Sequence, residues 1–116
     1  MQSESSYSAS PLDVTQAARE FAAEVAGSAE RKKKTIPSPH GLQAFLLYVR
    51  ANGTVPAHQV AGPITVQCVV GEASFTAEGQ SHRLPAGTMI SLAAGIPHDL
   101  AASTDSVLLV THALQS

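Results

Sequence analysis

The stretch 53-GTVPAHQVAGPITVQCVVGEASFTAEGQSHRLPAGTMISLAAGIPHDLAA-102 decides how this chain folds. Its apolar runs are short and are broken at Ala61-Gly62-Pro63, Gly71-Glu72, Glu78-Gly79 and Pro85-Ala86-Gly87. Runs of this length between turn residues read as strands, and several in succession read as a sandwich or barrel. The expected strands are Val55 to Val60, Ile64 to Val70, Ala73 to Ala77, Ser81 to Leu84, Thr88 to Leu92 and Pro97 to Ala102. Successive side chains on a strand point to opposite faces. With His58 pointing inward and the register kept through the bend, Val60, Ile64, Val66, Cys68 and Val70 point inward too. The opposite face carries Gln59, Ala61, Pro63, Thr65, Gln67 and Val69, a mixed set, so the register is well specified. Around His98, Ile96 and Leu100 share its face and Asp99 faces away.

On the C-terminal side, Ser106 to Ala113 adds a last strand. On the N-terminal side, Leu42 to Arg50 is a β-rich run, and Asn52-Gly53 is a hairpin signal after it. Before that the period changes. Val14, Ala17, Ala18, Phe21, Ala22 and Val25 recur at helical spacing. Ser10 is the expected N-cap, Pro11 the first helical residue, Asp13 the reciprocal member of a capping box and Gly27 the stop. Arg31 to Lys34 is a basic run without aromatic interleaving, which reads as a solvated linker rather than a nucleic-acid contact. The expected organisation is a disordered tail over 1–9, a helix and basic linker over 10–34, and an all-β barrel over 35–116.

Bulk properties narrow the function classes. A chain of 116 residues makes one domain with a core of its own. Charged residues are 14%, well under the usual quarter, and a surface so poor in charge suggests a homodimer. The net charge of −2 gives no global attraction for nucleic acid or an anionic membrane, so neither is an expected partner. Cys68 is the single cysteine, which fits a cytoplasmic address. Met1 to Ser10 lacks the basic and apolar regions of a signal peptide.

The spacings Gly53-x4-His58-x-Val60-x3-Ile64-x6-Gly71 and Gly87-x5-Ala93-x-Gly95-x2-His98-x3-Ala102 resemble the two motifs of the cupin superfamily. The chain as a whole resembles its small, single-domain RmlC-like members. The resemblance implies a double-stranded β-helix, or jelly-roll barrel, here with an N-terminal α-helix, and often a dimer. It also implies a metal held by three histidines and one carboxylate. Val60 and Ile64 stand where the second histidine and the carboxylate would be. Only His58 and His98 carry over as candidate metal ligands, for one divalent ion such as zinc, nickel, iron or manganese, or for none.

Two imidazoles among aliphatic side chains have the look of a small-ligand site. The expected pocket residues are His58, Val60, Ile64, Cys68 and His98, with Tyr48 available to orient a ligand. Cys68 is a candidate third donor on the same face, and Gln67 becomes one only if a bulge shifts the register. His112 on the last strand can face inward, where it would complete the site, or outward, and reads as a surface residue; His40 reads as a loop residue and His82 as exposed. The expected function is binding of a small molecule, with weak metal binding as an accompaniment. The alternative is a small enzyme, either a metal-dependent dioxygenase or an isomerase or epimerase in which His58 and His98 act as base and acid.

Overall fold

A computed structural model describes residues 7–114. One helix, α1 (Val14–Val25), precedes nine strands: β1 (Arg31–Ile36), β2 (Leu42–Val49), β3 (Thr54–His58), β4 (Ile64–Val70), β5 (Glu72–Ala77), β6 (Gln80–Pro85), β7 (Met89–Leu92), β8 (His98–Ala102) and β9 (Ser106–Ala113). They form two antiparallel sheets, ordered β1-β2-β9-β4-β7 and β3-β8-β5-β6, that enclose a shared core. Every strand expected from the sequence is present. No helix among the described residues is long and apolar enough to cross a membrane. Most of the expected tail lies outside the described residues; Tyr7 to Ala9 is exposed and irregular.

Alternation gives the larger sheet two apolar faces. Phe45, Leu47 and Val49 of β2 point into the barrel, while Leu46 and Tyr48 point out and pack beneath α1 against Ala18, Phe21 and Val25. The helix starts three residues later than Ser10 suggests. Asp13 is itself the N-cap, its carboxylate accepting the Gln16 N–H at 3.1 Å. A charged cap there also faces the positive end of the helix dipole, so Ser10 and Pro11 are left outside the helix.

Two other expectations are corrected. Arg31 to Lys34 is not a linker but most of β1, paired along its length with β2 from Arg31↔Val49 to Ile36↔Ala44. The barrel therefore begins at Arg31 rather than at residue 35. Lysine is a normal occupant of an edge strand: its stem lies along the sheet, and its charge discourages further strand addition. Asn52-Gly53 does not make a β2–β3 hairpin. Both edges of β2 are taken, by β1 and β9, so the chain crosses to the other sheet, where β3 pairs with β8. Asn52 supplies the positive φ of 66° at that corner. Glu78-Gly79, with φ of 54° and 78°, is the true two-residue hairpin, joining β5 to β6.

The barrel is sealed at one end. Ser106 is fully buried and its hydroxyl donates to the Thr104 carbonyl at 2.7 Å, while Glu72 N–H reaches the Ser106 and Thr104 hydroxyls at 3.2 and 3.1 Å. Gly71, at φ +86°, sits against the Asp105 carbonyl, where a Cβ would collide with it. Behind this seal lie Cys68, Ala73, Leu84, Ala102 and Leu108. The other end is open.

Candidate ligand-binding site

The open end holds a cavity of about 360 Å³ between the two sheets. Its apolar wall comes from Phe45 and Leu47 on β2, Ile64 and Val66 on β4, and Phe75, Leu100 and Val110 on β5, β8 and β9. β4 supplies the cavity with one end and the sealed core with the other: Ile64 and Val66 line the cavity, and Cys68, two residues on, does not.

His58 and His98 meet at the mouth. They are cross-strand partners in β3 and β8, beside a register shift between Val55 and His58. Their ring centroids are 4.4 Å apart with planes tilted by 59°. His98 is 6% exposed and stacks on Phe75 at 5.3 Å, whereas His58 is exposed to solvent on its outer side. The Gly95 N–H donates to the Val60 carbonyl at 2.8 Å and ties the loop before His98 to the chain after His58.

Both rings are oriented by the same device. Nδ1 of His58 lies 3.0 Å from the Pro56 carbonyl, and Nδ1 of His98 lies 3.0 Å from the Ile96 carbonyl. A carbonyl can only accept, so each Nδ1 carries the proton and donates. Each neutral ring is thereby left with its lone pair on Nε2, which makes no hydrogen bond among the described residues. The site thus offers two acceptors, side by side, to whatever enters.

Val60 and Ile64 line the cavity together with both histidines. Cys68 is corrected. It shares their face, but its Sγ is buried at the sealed end near the Val70 and Gly71 carbonyls at 3.5 and 3.4 Å. Burial pushes its thiol pKa up, with a smaller push from Glu72. Gln67 stays on the outer face because the bulge in β4 falls after it, between Cys68 and Val70, and the same bulge corrects Val70, expected to point inward, to the helix side beside Val69. Tyr48 is on the wrong side of its sheet, beneath α1, where burial and then the Asp105 charge raise its pKa. His82 is half-buried on β6 and His40 is exposed, and neither lines the cavity.

His112 is the histidine that the sequence reading misplaced. It lines the cavity, and its Nε2 accepts the Gly62 N–H at 3.2 Å. A Cβ on Gly62 would collide with the Ala113 carbonyl, so only glycine lets the backbone approach this closely. The missed signal was parity: Leu108 and Val110 point inward, and His112 is the next residue on that face. Asp99, expected to face away, also lines the cavity.

The residues present do not fit a resident metal. Zinc and iron sites use three or four protein ligands. Among the described residues no group of three or more histidine, cysteine, aspartate or glutamate side chains can hold an ion. His112 has its Nε2 engaged by Gly62, which leaves the two facing imidazoles alone.

With this geometry in hand, the relationship to known proteins is a relationship of fold. No protein-family model and no curated protein sequence matches the chain. Solved structures do. A conserved protein of unknown function from Streptococcus pyogenes matches at a TM-score of 0.74 and 23% identity, over 95% of this chain and 91% of that one. A cupin superfamily protein from Desulfitobacterium hafniense matches at 0.73 and 15% identity, over 94% of each. A salicylate 1,2-dioxygenase from Pseudaminobacter salicylatoxidans matches at 0.72 and 15% identity, over 90% of this chain but 34% of that one. The chain therefore has the cupin fold, a double-stranded β-helix of two antiparallel sheets with a short helix on the outer face of one.

Proposed function

We propose that this protein binds a small, largely apolar molecule between its two sheets and that Nε2 of His58 and His98 orients it. The observation that supports this most is the pair of rings 4.4 Å apart, each fixed by its own carbonyl, at the mouth of an apolar cavity. Apolar contact supplies affinity and the two acceptors supply direction. Metal chemistry plays no part in this reading, because the donor set falls short.

A thermal-shift screen of small aromatic and aliphatic compounds tests it. A ligand at a hundredfold excess over its Kd stabilises the fold by about 2.7 kcal/mol, which a melting curve resolves. His58→Ala is expected to weaken such a ligand roughly five- to a hundredfold through the lost hydrogen bond. Its effect on the Tm is expected to be small, because His58 is exposed. A broad screen without one stabilising compound would sink the proposal.

The same pair favours a second reading, a proton-transfer enzyme of the isomerase or epimerase kind. The unprotonated Nε2 of one ring can take a proton from a bound substrate and return that same proton at a second position, while Nε2 of the other ring accepts a hydrogen bond from the substrate. Incorporation of solvent deuterium at a carbon of a bound compound supports this reading; a ligand that binds and never exchanges removes it. We further propose that the protein is a homodimer, with exposed Leu42, Met89 and Leu114 as candidates for cover. A monomer mass in light scattering refutes that.

A further inference from the structure

The basic strand β1 reaches the cavity. Side chains alternate along it, so Lys32 and Lys34 lie on the helix side, where Lys34 Nζ stands 5.9 Å from the Phe21 ring centre. Arg31 and Lys33 lie on the other side and line the cavity. Lys33 Nζ is held 4.5 Å above the ring of Phe45, itself part of the cavity wall. Arg31 Nη1 donates to the Thr54 carbonyl at 2.6 Å, which joins the β1 edge of one sheet to the β3 edge of the other along the side of the cavity. One such bond leaves most of the five guanidinium N–H donors available.

Neither cation has an ion-pair partner among the described residues; the ion pair found there is Arg83 with Glu72, at the sealed end. The fixed charges lining the cavity are Arg31, Lys33 and Asp99, a net positive wall around an otherwise apolar interior. Guarding an open sheet edge accounts for charge on β1 in general. It does not account for two cations held at a cavity wall, one over an aromatic ring and the other fastened to the facing sheet edge.

We infer that the ligand is an organic monoanion: an apolar body carrying one carboxylate, with the body between the sheets and the carboxylate at the open edge between β1 and β3, against Arg31 and Lys33. A single net positive charge suits a monoanion better than a dianionic phosphate. The inference rests on the proposed small-molecule pocket and adds to it the charge and the orientation of the occupant.

The experiment is a titration calorimetry panel of matched probes: benzoate, 1-naphthoate and octanoate, each against its neutral amide. The expected result is roughly five- to tenfold tighter binding of at least one carboxylate than of its amide, the size of one or two partly exposed charge contacts. That preference is expected to shrink as salt rises from 50 to 500 mM, since exposed charges are screened. Lys33→Gln, and separately the pair Arg31→Gln with Lys33→Gln, are expected to remove the preference while amide binding persists. Lys33→Gln leaves the Arg31–Thr54 latch in place, so the result does not depend on the double variant folding. Equal binding of carboxylate and amide, unmoved by salt and by Lys33→Gln, overturns the inference and leaves the pocket standing, with β1 an edge guard only. Failure of every probe, charged or neutral, to bind overturns both.

Discussion

Within the barrel, β4 contributes Cys68 to one end and Ile64 and Val66 to the other, and β8 does the same with Ala102 and then Leu100 and His98. At the first end the inner side chains meet across the core, and Ser106, Thr104 and Gly71 close the backbone over them. At the second end two imidazoles stand where more hydrocarbon would have completed the core. The same strands thus spend one half on stability and the other half on a site. Packing at the sealed end holds the strands in register, and that register sets the distance between His58 and His98.

This contrast can be broken in several ways. The largest expected effect is at the sealed end. Leu84 is 2% exposed, and Leu84→Ala is expected to cost about 2–5 kcal/mol by chemical denaturation, for lost transfer energy and an unfilled cavity. A loss as small as that from an open-end substitution would refute the division. Asp13→Ala lies outside both ends. Loss of the N-cap is expected to cost about 1 kcal/mol while ligand affinity stays at wild-type level. A change in affinity would show that the helix reaches the site through its sheet. Val60→Ala, at the open end and half-buried, is expected to cost no more than about 1 kcal/mol and to weaken the ligand instead.

The smallest energetic effect belongs to Cys68. Its thiol is fully buried, so native protein is expected to resist iodoacetamide until it unfolds. The thiol's pKa is raised in the folded chain, so the unfolded chain deprotonates first as pH rises. The stability tied to this group is therefore complete below the ordinary thiol value of about 8.5 and declines as pH climbs through it towards the folded value. Cys68→Ala is expected to flatten that alkaline decline. Rapid alkylation of native protein would place the thiol in the open cavity after all.

The sequence by itself determined strands β2 to β9 and the inward set on β4 as far as Cys68, because alternation and turn chemistry are local properties; the glycine and histidine spacing singled out His58 and His98 through the family resemblance. It also carried the signal for His112, in the spacing from Leu108 and Val110. It did not show that Asn52-Gly53 is a corner and not a hairpin, because that depends on β9 occupying the free edge of β2, a partner nearly sixty residues further along. Nor did it reveal that Arg31 and Lys33 face the cavity. A run of four cations has no periodicity to read, and only pairing with β2 assigns alternate members to opposite faces. Cys68 shows the same limit from the other side: parity put it on the inner face correctly, but whether an inner face borders an empty cavity or a filled core is decided by what the opposite sheet brings to meet it.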